Sequence, residues 1–362
     1  MAEPMHIIGS GLVTALGIGV AQNGAHVRAG MAAFAESDFL DQRMKRIIAA
    51  VLPADALVAW AGGDSAGLSP RAIEVVSLAG MAVNEALASH AHVTATQPIR
   101  TWCAWPEHQT QVPLDVARLG SALTTHVGGR LSVQGAFPGR AGALAALHAA
   151  MEALQQGAPC ALIVGADSLL QQYVLGTLLL AQRIKTEQHS DGLIPGMGAG
   201  ALVLARADVV QRLQATTYGR IAGVGIGDEA GHFGNDGDWQ GDALAAAAQE
   251  ALAGDFVPVA EIWSGMTGER CWAGELGVTQ VRCQQRILAD STVHHPADGW
   301  GDLGAATGVA LIATAVAGHQ RGWVRLPALV LASSDFGGRG AALLVAPTRV
   351  VPTIATPAVV AA

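Results

Sequence analysis

The side chains best suited to covalent chemistry in this chain of 362 residues are four cysteines and one pair of adjacent histidines. The cysteines are Cys103, Cys160, Cys271 and Cys283. They have no closely paired spacing, so we expect reduced, mostly buried thiols rather than disulfides. A thiol beside an imidazole can act as a nucleophile, which makes Cys271 with His294 or His295 one candidate. The favoured alternative is a packing cysteine and a solvated histidine loop, and no further ligand at a recognised spacing supports a metal site.

A turn between a strand and a helix is the second candidate position. Residues 128–168 predict a strand, a tight turn, a helix of small apolar residues and a second strand, with Arg140 at the turn. The N-terminus of a helix favours an anion, whereas the arginine guanidinium stays protonated. Burying Arg140 without a partner would be costly. We therefore expect a carboxylate beside it, and an anionic ligand is the alternative.

The elements around this turn recur in two halves of the chain. Each half opens with a short apolar strand, at residues 6–13 and 220–226, and each contains a helix of small residues, at 142–156 and 303–317. Each half also ends in consecutive strands, at residues 160–165 and 200–204 in the first half and at 328–332 and 341–345 in the second. A helix that is apolar on every side must be buried on every side, so these two helices belong in a central layer between two sheets.

This pattern predicts an α/β protein of five layers, α-β-α-β-α, built from two related halves. We place the N-terminal half at residues 1–207 and the C-terminal half at 219–346. The tail at 347–362 is rich in Pro, Val and Ala without periodicity, so we expect it to be loosely ordered.

Four sequence blocks, in matching order over nearly the whole chain, resemble the β-ketoacyl synthases, a family with the thiolase fold. The blocks are IIGSGLVTALG (7–17), DGLIPGMGAGALVLA (191–205), WGDLGAATG (300–308) and SSDFGGRGAALLV (333–345). The segment around Arg140 is similar to the nucleophile segment of that family. The resemblance implies a thiolase-like fold and a gate-like loop at Phe336, Gly337 and Gly338, where a phenylalanine controls access to the acyl pocket.

The resemblance also identifies the positions at which the family carries out its chemistry. The family uses one cysteine as acyl nucleophile and two histidines that stabilise developing charge. The equivalent positions here hold Arg140, Ser264 and Gly301. A guanidinium cannot attack a thioester, and both imidazoles are replaced, so the resemblance implies an inactive member with no catalytic residue. It also implies Asp302 as the ion-pair partner of Arg140, because its motif faces the same cavity in the family.

Composition excludes several classes of function. The net charge is −8, and only 21 residues are Lys or Arg, so a surface that neutralises nucleic-acid phosphates is not expected. No apolar run approaches the roughly 18 residues that a membrane span needs. The first residues lack the basic and apolar regions of a signal peptide, which predicts a cytoplasmic protein. We expect no cofactor.

Three functions follow from the resemblance. The favoured one is a non-catalytic β-ketoacyl synthase-like protein that acts through protein binding, as a pseudo-subunit or an adaptor, with a secreted toxin as one conceivable client. It would form a homodimer, or a heterodimer with a thiolase-fold paralogue, through the strand at residues 131–137, which contains no Lys or Pro to protect its edge. The alternatives are a module that binds an acyl chain or an acyl carrier protein, and an acyltransferase that uses unusual residues.

Overall fold

The computed structural model describes residues 3–57, 67–88, 97–107, 114–235, 237–254 and 257–347. Its strands are β1 (Met5–Thr14), β2 (Gly17–Ile18), β3 (Phe34–Leu40), β4 (Arg46–Ala50), β5 (Ile99–Trp105), β6 (Leu131–Pro138), β7 (Cys160–Ser168), β8 (Met197–Ala205), β9 (Gly219–Asp228), β10 (Val259–Ser264), β11 (Ile287–His294), β12 (Ala328–Ser333) and β13 (Gly338–Val345). Its helices are α1 (Val20–Arg28), α2 (Pro70–Leu87), α3 (Val116–His126), α4 (Gly142–Gln155), α5 (Gln172–Leu180), α6 (Ala207–Leu213), α7 (Asp242–Ala251), α8 (Arg270–Arg282), α9 (Ala297–Trp300) and α10 (Thr307–Gln320).

The strands of the two halves repeat one arrangement. In the first half the order is β6-β5-β7-β8-β1, and in the second half it is β11-β10-β12-β13-β9. The outer three strands of each set are parallel, and the remaining pairings are antiparallel. The sets join where Met5, His6 and Ile7 pair with the start of β9. The predicted two related halves are therefore present as two half-sheets joined at one corner.

The helices occupy three layers around these half-sheets. The central layer contains α4 and α10, whose small apolar residues share one core with strands of both halves. Helices α2 and α3 cover the outer face of the first half-sheet, and α7 and α8 cover the outer face of the second. Helix α10 is buried along nearly its whole length, as its lack of a polar face requires. The predicted α-β-α-β-α layering is confirmed.

Close helix–strand packing is also repeated between the halves. A Cβ atom added at Gly11 of β1 would lie 2.0 Å from the carbonyl oxygen of Ala82 in α2. A Cβ atom added at Gly225 of β9 would lie 2.0 Å from the carbonyl oxygen of Ala247 in α7. Only glycine allows backbones to approach so closely. The duplication thus extends to individual packing contacts.

Three segments differ from the sequence prediction or add to it. Residues 34–50 contain an antiparallel hairpin, β3–β4, that the sequence analysis did not predict, and the stretch between the two predicted halves, at 207–219, contains helix α6. The second central helix begins later than predicted, because Gly304–Ala306 form a 3-10 turn before α10. The predicted tail lies outside the described residues beyond Pro347.

Among the described helices, none has the length and apolar character of a membrane span.

Candidate functional site

The turn between β6 and α4 places Arg140 inside the protein. Gly139 adopts φ 75°, and its N–H donates to the carbonyl oxygen of Trp105 at the end of the neighbouring strand. The N–H of Ala141, two residues later, donates to the Ser334 hydroxyl at 2.9 Å. These contacts hold Arg140 at the start of the central helix with only 2% of its surface exposed. The side chain of Arg140 is therefore buried and fixed.

Two carboxylates from the second half neutralise Arg140. Its Nε lies 2.9 Å and 3.1 Å from the two carboxylate oxygens of Asp302, and an Nη atom forms a further contact with the same group. Its other Nη atom contacts Asp335. Asp302 thus lies against Arg140, in the place that the sequence analysis assigned to it. Asp335 is an additional partner that the sequence analysis did not identify.

Asp335 extends these contacts to a second buried arginine. Arg183 donates to Asp335 at 2.7 Å and to Glu269 through a two-pronged contact of 2.7 Å and 2.9 Å. Glu269 also accepts the indole N–H of Trp272 at 3.0 Å. The buried ion network is defined here as Arg140, Arg183, Glu269, Asp302 and Asp335. Its arginines come from the first half of the chain and its carboxylates from the second.

Arg140 and Asp335 are each held in the charged form by the oppositely charged groups beside them. Burial alone would lower the pKa of Arg140, but the carboxylates of Asp302 and Asp335 hold it well above its ordinary value. Burial alone would raise the pKa of Asp335, but Arg140 and Arg183 hold it well below its usual range. A guanidinium that stays protonated has neither a nucleophilic lone pair nor a proton to exchange near neutral pH.

Glu107 is a further carboxylate beside the buried ion network. Its carboxylate accepts the backbone N–H groups of Asp335 at 3.0 Å and of Phe336 at 3.3 Å. Burial, together with the neighbouring Asp335 carboxylate, raises the pKa of Glu107 to about 7. Glu107 therefore positions the loop that carries Phe336, and it does so from the first half of the chain.

Ser264 and Gly301, which the sequence resemblance assigned to the family's histidine positions, have backbone and packing roles. Ser264 ends β10, and its hydroxyl accepts the N–H of Met266 at 3.2 Å. The cavity beside Ser264 has a volume of about 10 Å³, at the lower limit for one water molecule. Gly301 adopts φ 74°, and a Cβ atom there would lie 2.9 Å from the carbonyl oxygen of Ile194. Neither residue supplies an acid or a base.

The gate-like loop lies at the protein surface. The ring of Phe336 is partly exposed and meets His232 edge-on, with ring centres 6.2 Å apart. Gly337 adopts φ 100°, and a Cβ atom there would lie 2.3 Å from Asp228, so a larger residue would disturb the loop. Gly338 begins β13.

The alternative pair of a cysteine and a histidine is not assembled in the described part of the chain. His294 contacts Glu261 at 3.0 Å and stacks on Trp263, and His295 contacts Asp298 at 2.6 Å. Burial raises the pKa of the Cys271 thiol to about 12, and the Glu269 carboxylate adds to the shift. The thiolate that a nucleophile requires is therefore disfavoured.

The remaining cysteines are equally unsuited to nucleophilic chemistry. Burial raises the pKa of the Cys103 thiol to about 12 and that of Cys160 to about 11, and it raises the pKa of Cys283 as well.

Within the residues that the structure describes, no group of three or more His, Cys, Asp and Glu side chains could hold a metal ion.

Comparison with known proteins identifies the architecture. No protein-family model and no curated protein sequence matches the chain. Solved structures do match. The ishigamide ketosynthase/chain length factor superposes with a TM-score of 0.72 at 19% identity, over 96% of this chain and 100% of that one. This chain has the ketosynthase fold.

Two further solved structures with the ketosynthase fold superpose equally well. A ketosynthase domain of oxazolomycin synthesis from Streptomyces albus JA3453 gives a TM-score of 0.75 at 14% identity, over 96% of this chain and 76% of that one. A type II polyketide ketosynthase in complex with its acyl carrier protein gives 0.74 at 15% identity, over 96% and 100%. At such low identities the likeness concerns the fold alone.

The sequence analysis missed three members of the buried ion network. Asp335 stands in the block SSDFGGRGAALLV, directly before Phe336, and this charge beside the gate-like loop was a readable signal for a second partner of Arg140. Arg183 and Glu269 lie in segments that carry no comparable signal.

Replacing Arg140 by Ala is expected to lower the free energy of unfolding by about 3–5 kcal/mol, because two buried carboxylates lose their counter-charge. Replacing Arg270 by Ala is the matched control, because its side chain is 88% exposed and pairs with Asp191 at the surface. The control should cost less than about 1 kcal/mol. Chemical denaturation of both variants measures the difference, and equal effects would show that the buried pairs carry no special stability.

Proposed function

We propose that this protein is a non-catalytic member of the ketosynthase fold that acts by binding another protein of the same fold. The partner is a second copy of this chain or a catalytic paralogue. The observation that carries the proposal is that Arg140, which the sequence resemblance assigns to the ketosynthase nucleophile position, is buried and paired with Asp302 and Asp335. A thioester substrate would have to displace these charges from their partners, and that loss is unfavourable.

The surroundings of Arg140 also support a non-catalytic role. Ser264 has a cavity of only about 10 Å³ beside it, and Gly301 contributes no side chain. Condensation needs a nucleophile and groups that stabilise developing negative charge, and each is worth orders of magnitude in rate. The side chains at these positions supply neither.

The purified protein should therefore neither load an acyl group nor decarboxylate a malonyl thioester. Incubation with acyl and malonyl thioesters, followed by mass spectrometry of the intact protein, measures covalent loading, and release of carbon dioxide measures turnover. A stable acyl adduct, or decarboxylation above the rate without protein, would contradict a non-catalytic role.

The edge strand β6 supports binding of a partner. It ends the first half-sheet and pairs with β5, so its other edge has no neighbour among the described residues. The corresponding strand of the second half, β11, carries Asp290 in an ion pair with Arg325 at 3.0 Å. Charged side chains protect a sheet edge from pairing, and β6 has none. The unprotected edge favours addition of a strand from another subunit.

The burial of each side chain decides which residue of β6 should be changed to test this edge. Val133 lies close to Gly120 of α3, so a charge there would disturb the core as well as the edge. Ala136 is exposed on the same strand and does not have this drawback. Ala246 of α7 is also exposed and lies in the other half, so the same substitution there is a matched control.

Ala136→Lys should prevent assembly through β6, because pairing would then bury or crowd an added charge. Ala246→Lys should leave assembly unchanged. Light scattering of the wild type and both variants measures the mass of each. A wild type that stays monomeric at high concentration would rule out the homodimer, and a dimer that tolerates Ala136→Lys would place the interface elsewhere.

A further inference from the structure

A cleft in the described part of the chain lies at the end of α4 opposite to Arg140. Its volume is about 650 Å³. It is bordered by Arg100 of β5, Ser132 of β6, Gln156 after α4, and Val209 and Arg212 of α6. Arg140 precedes α4, whereas the cleft follows it, and a helix of 14 residues is roughly 21 Å long. The cleft is therefore separate from the buried ion network.

The two arginines of the cleft have no partner of their own. Neither Arg100 nor Arg212 forms a hydrogen bond or an ion pair with the described residues, and both side chains are exposed. The carboxylate next to this region, Asp208, is already held by Arg206 through contacts of 2.9 Å and 2.7 Å. The cleft thus combines two unsatisfied cations with a neighbouring anion that is already neutralised.

Neighbouring groups do not neutralise the positive charges of these two arginines. Helices α4 and α6 both end at the cleft, and a helix C-terminus attracts positive charge. However, the terminal carbonyl oxygens already accept backbone N–H groups, including those of Gln156, Gly157 and Ala158 after α4 and that of Ala215 after α6. Burial keeps the nearby Cys160 thiol neutral, so it adds no negative charge. The positive charge of the cleft remains available to a ligand.

We propose that this cleft binds a small anionic ligand through Arg100 and Arg212. Guanidinium groups form two-pronged hydrogen bonds with phosphate and carboxylate oxygens, and two of them can hold one oxyanion. Ser132 and Gln156 offer further polar contacts, and Val209 provides an apolar wall for a short hydrocarbon portion. The ligand class is thus an organic phosphate or a carboxylate of modest size. This binding does not depend on the position of Arg140.

Calorimetric titration at low salt with inorganic pyrophosphate and, separately, with hexanoate tests the site. Hexanol is the uncharged control probe. We expect the wild type to bind at least one of the two anions with a Kd of about 1 mM or tighter, and to bind no hexanol. Binding of pyrophosphate alone identifies a phosphate ligand, and binding of hexanoate alone identifies a carboxylate with an apolar chain.

Variants then locate the binding. Arg100→Gln and Arg212→Gln should each weaken it about tenfold or more, because each removes one charge-assisted contact. Arg43→Gln, at an exposed arginine in the turn between β3 and β4, should leave it unchanged. Unaltered melting temperatures show that the variants remain folded. The proposal is overturned if the wild type binds neither anion, if both cleft variants bind as the wild type does, or if Arg43→Gln has the same effect.

Discussion

The rest of the structure depends on one electrostatic constraint, which is that the buried charges between the two halves must be paired. Arg140 and Arg183 come from the first half, and Glu269, Asp302 and Asp335 come from the second. An uncompensated charge in such a position costs several kcal/mol. The buried ion network is complete only when the half-sheets and the central helices have their final arrangement, so it couples the packing of the two halves.

The same constraint explains how the ketosynthase fold accommodates a buried arginine at the start of its central helix. The turn before α4 still points a side chain at the interior, as a nucleophile would require. A cation there opposes the helix dipole, at a cost of about 0.3–1 kcal/mol in exposed cases. Asp302 and Asp335 offset that cost, because both carboxylates contact the guanidinium in a buried position. The turn before α4 is therefore held in place by paired charges from both halves of the chain.

Much of the fold could be predicted from apolar patterning. The helix at 303–317 had to be central, because its sequence has no polar face. The small apolar residues of the helix at 142–156 placed it in the same layer, although Glu152 on it is exposed. Local details were less predictable, such as the 3-10 turn that delays α10 and the hairpin of β3 and β4, since neither changes the apolar pattern.

The candidate site was predictable only in part. Asp302 stands next to a position that the resemblance identified, so its place could be inferred. Arg183 and Asp335 are 152 positions apart in sequence, and an ion pair over that distance leaves no local signal in one chain. Glu107 was missed for the same reason, because the backbone N–H group of Asp335 that it binds belongs to the other half of the chain.

The most direct test of the central claim is a double-mutant cycle between Arg140 and Asp302, measured as the free energy of unfolding in denaturant. The variants are Arg140→Ala, Asp302→Ala and the pair together. If the two side chains form a buried structural pair, the double variant should be more stable than the sum of the single losses predicts, with a coupling of about 2 kcal/mol or more. Additive losses would show that Arg140 and Asp302 do not stabilise each other, and would contradict the account.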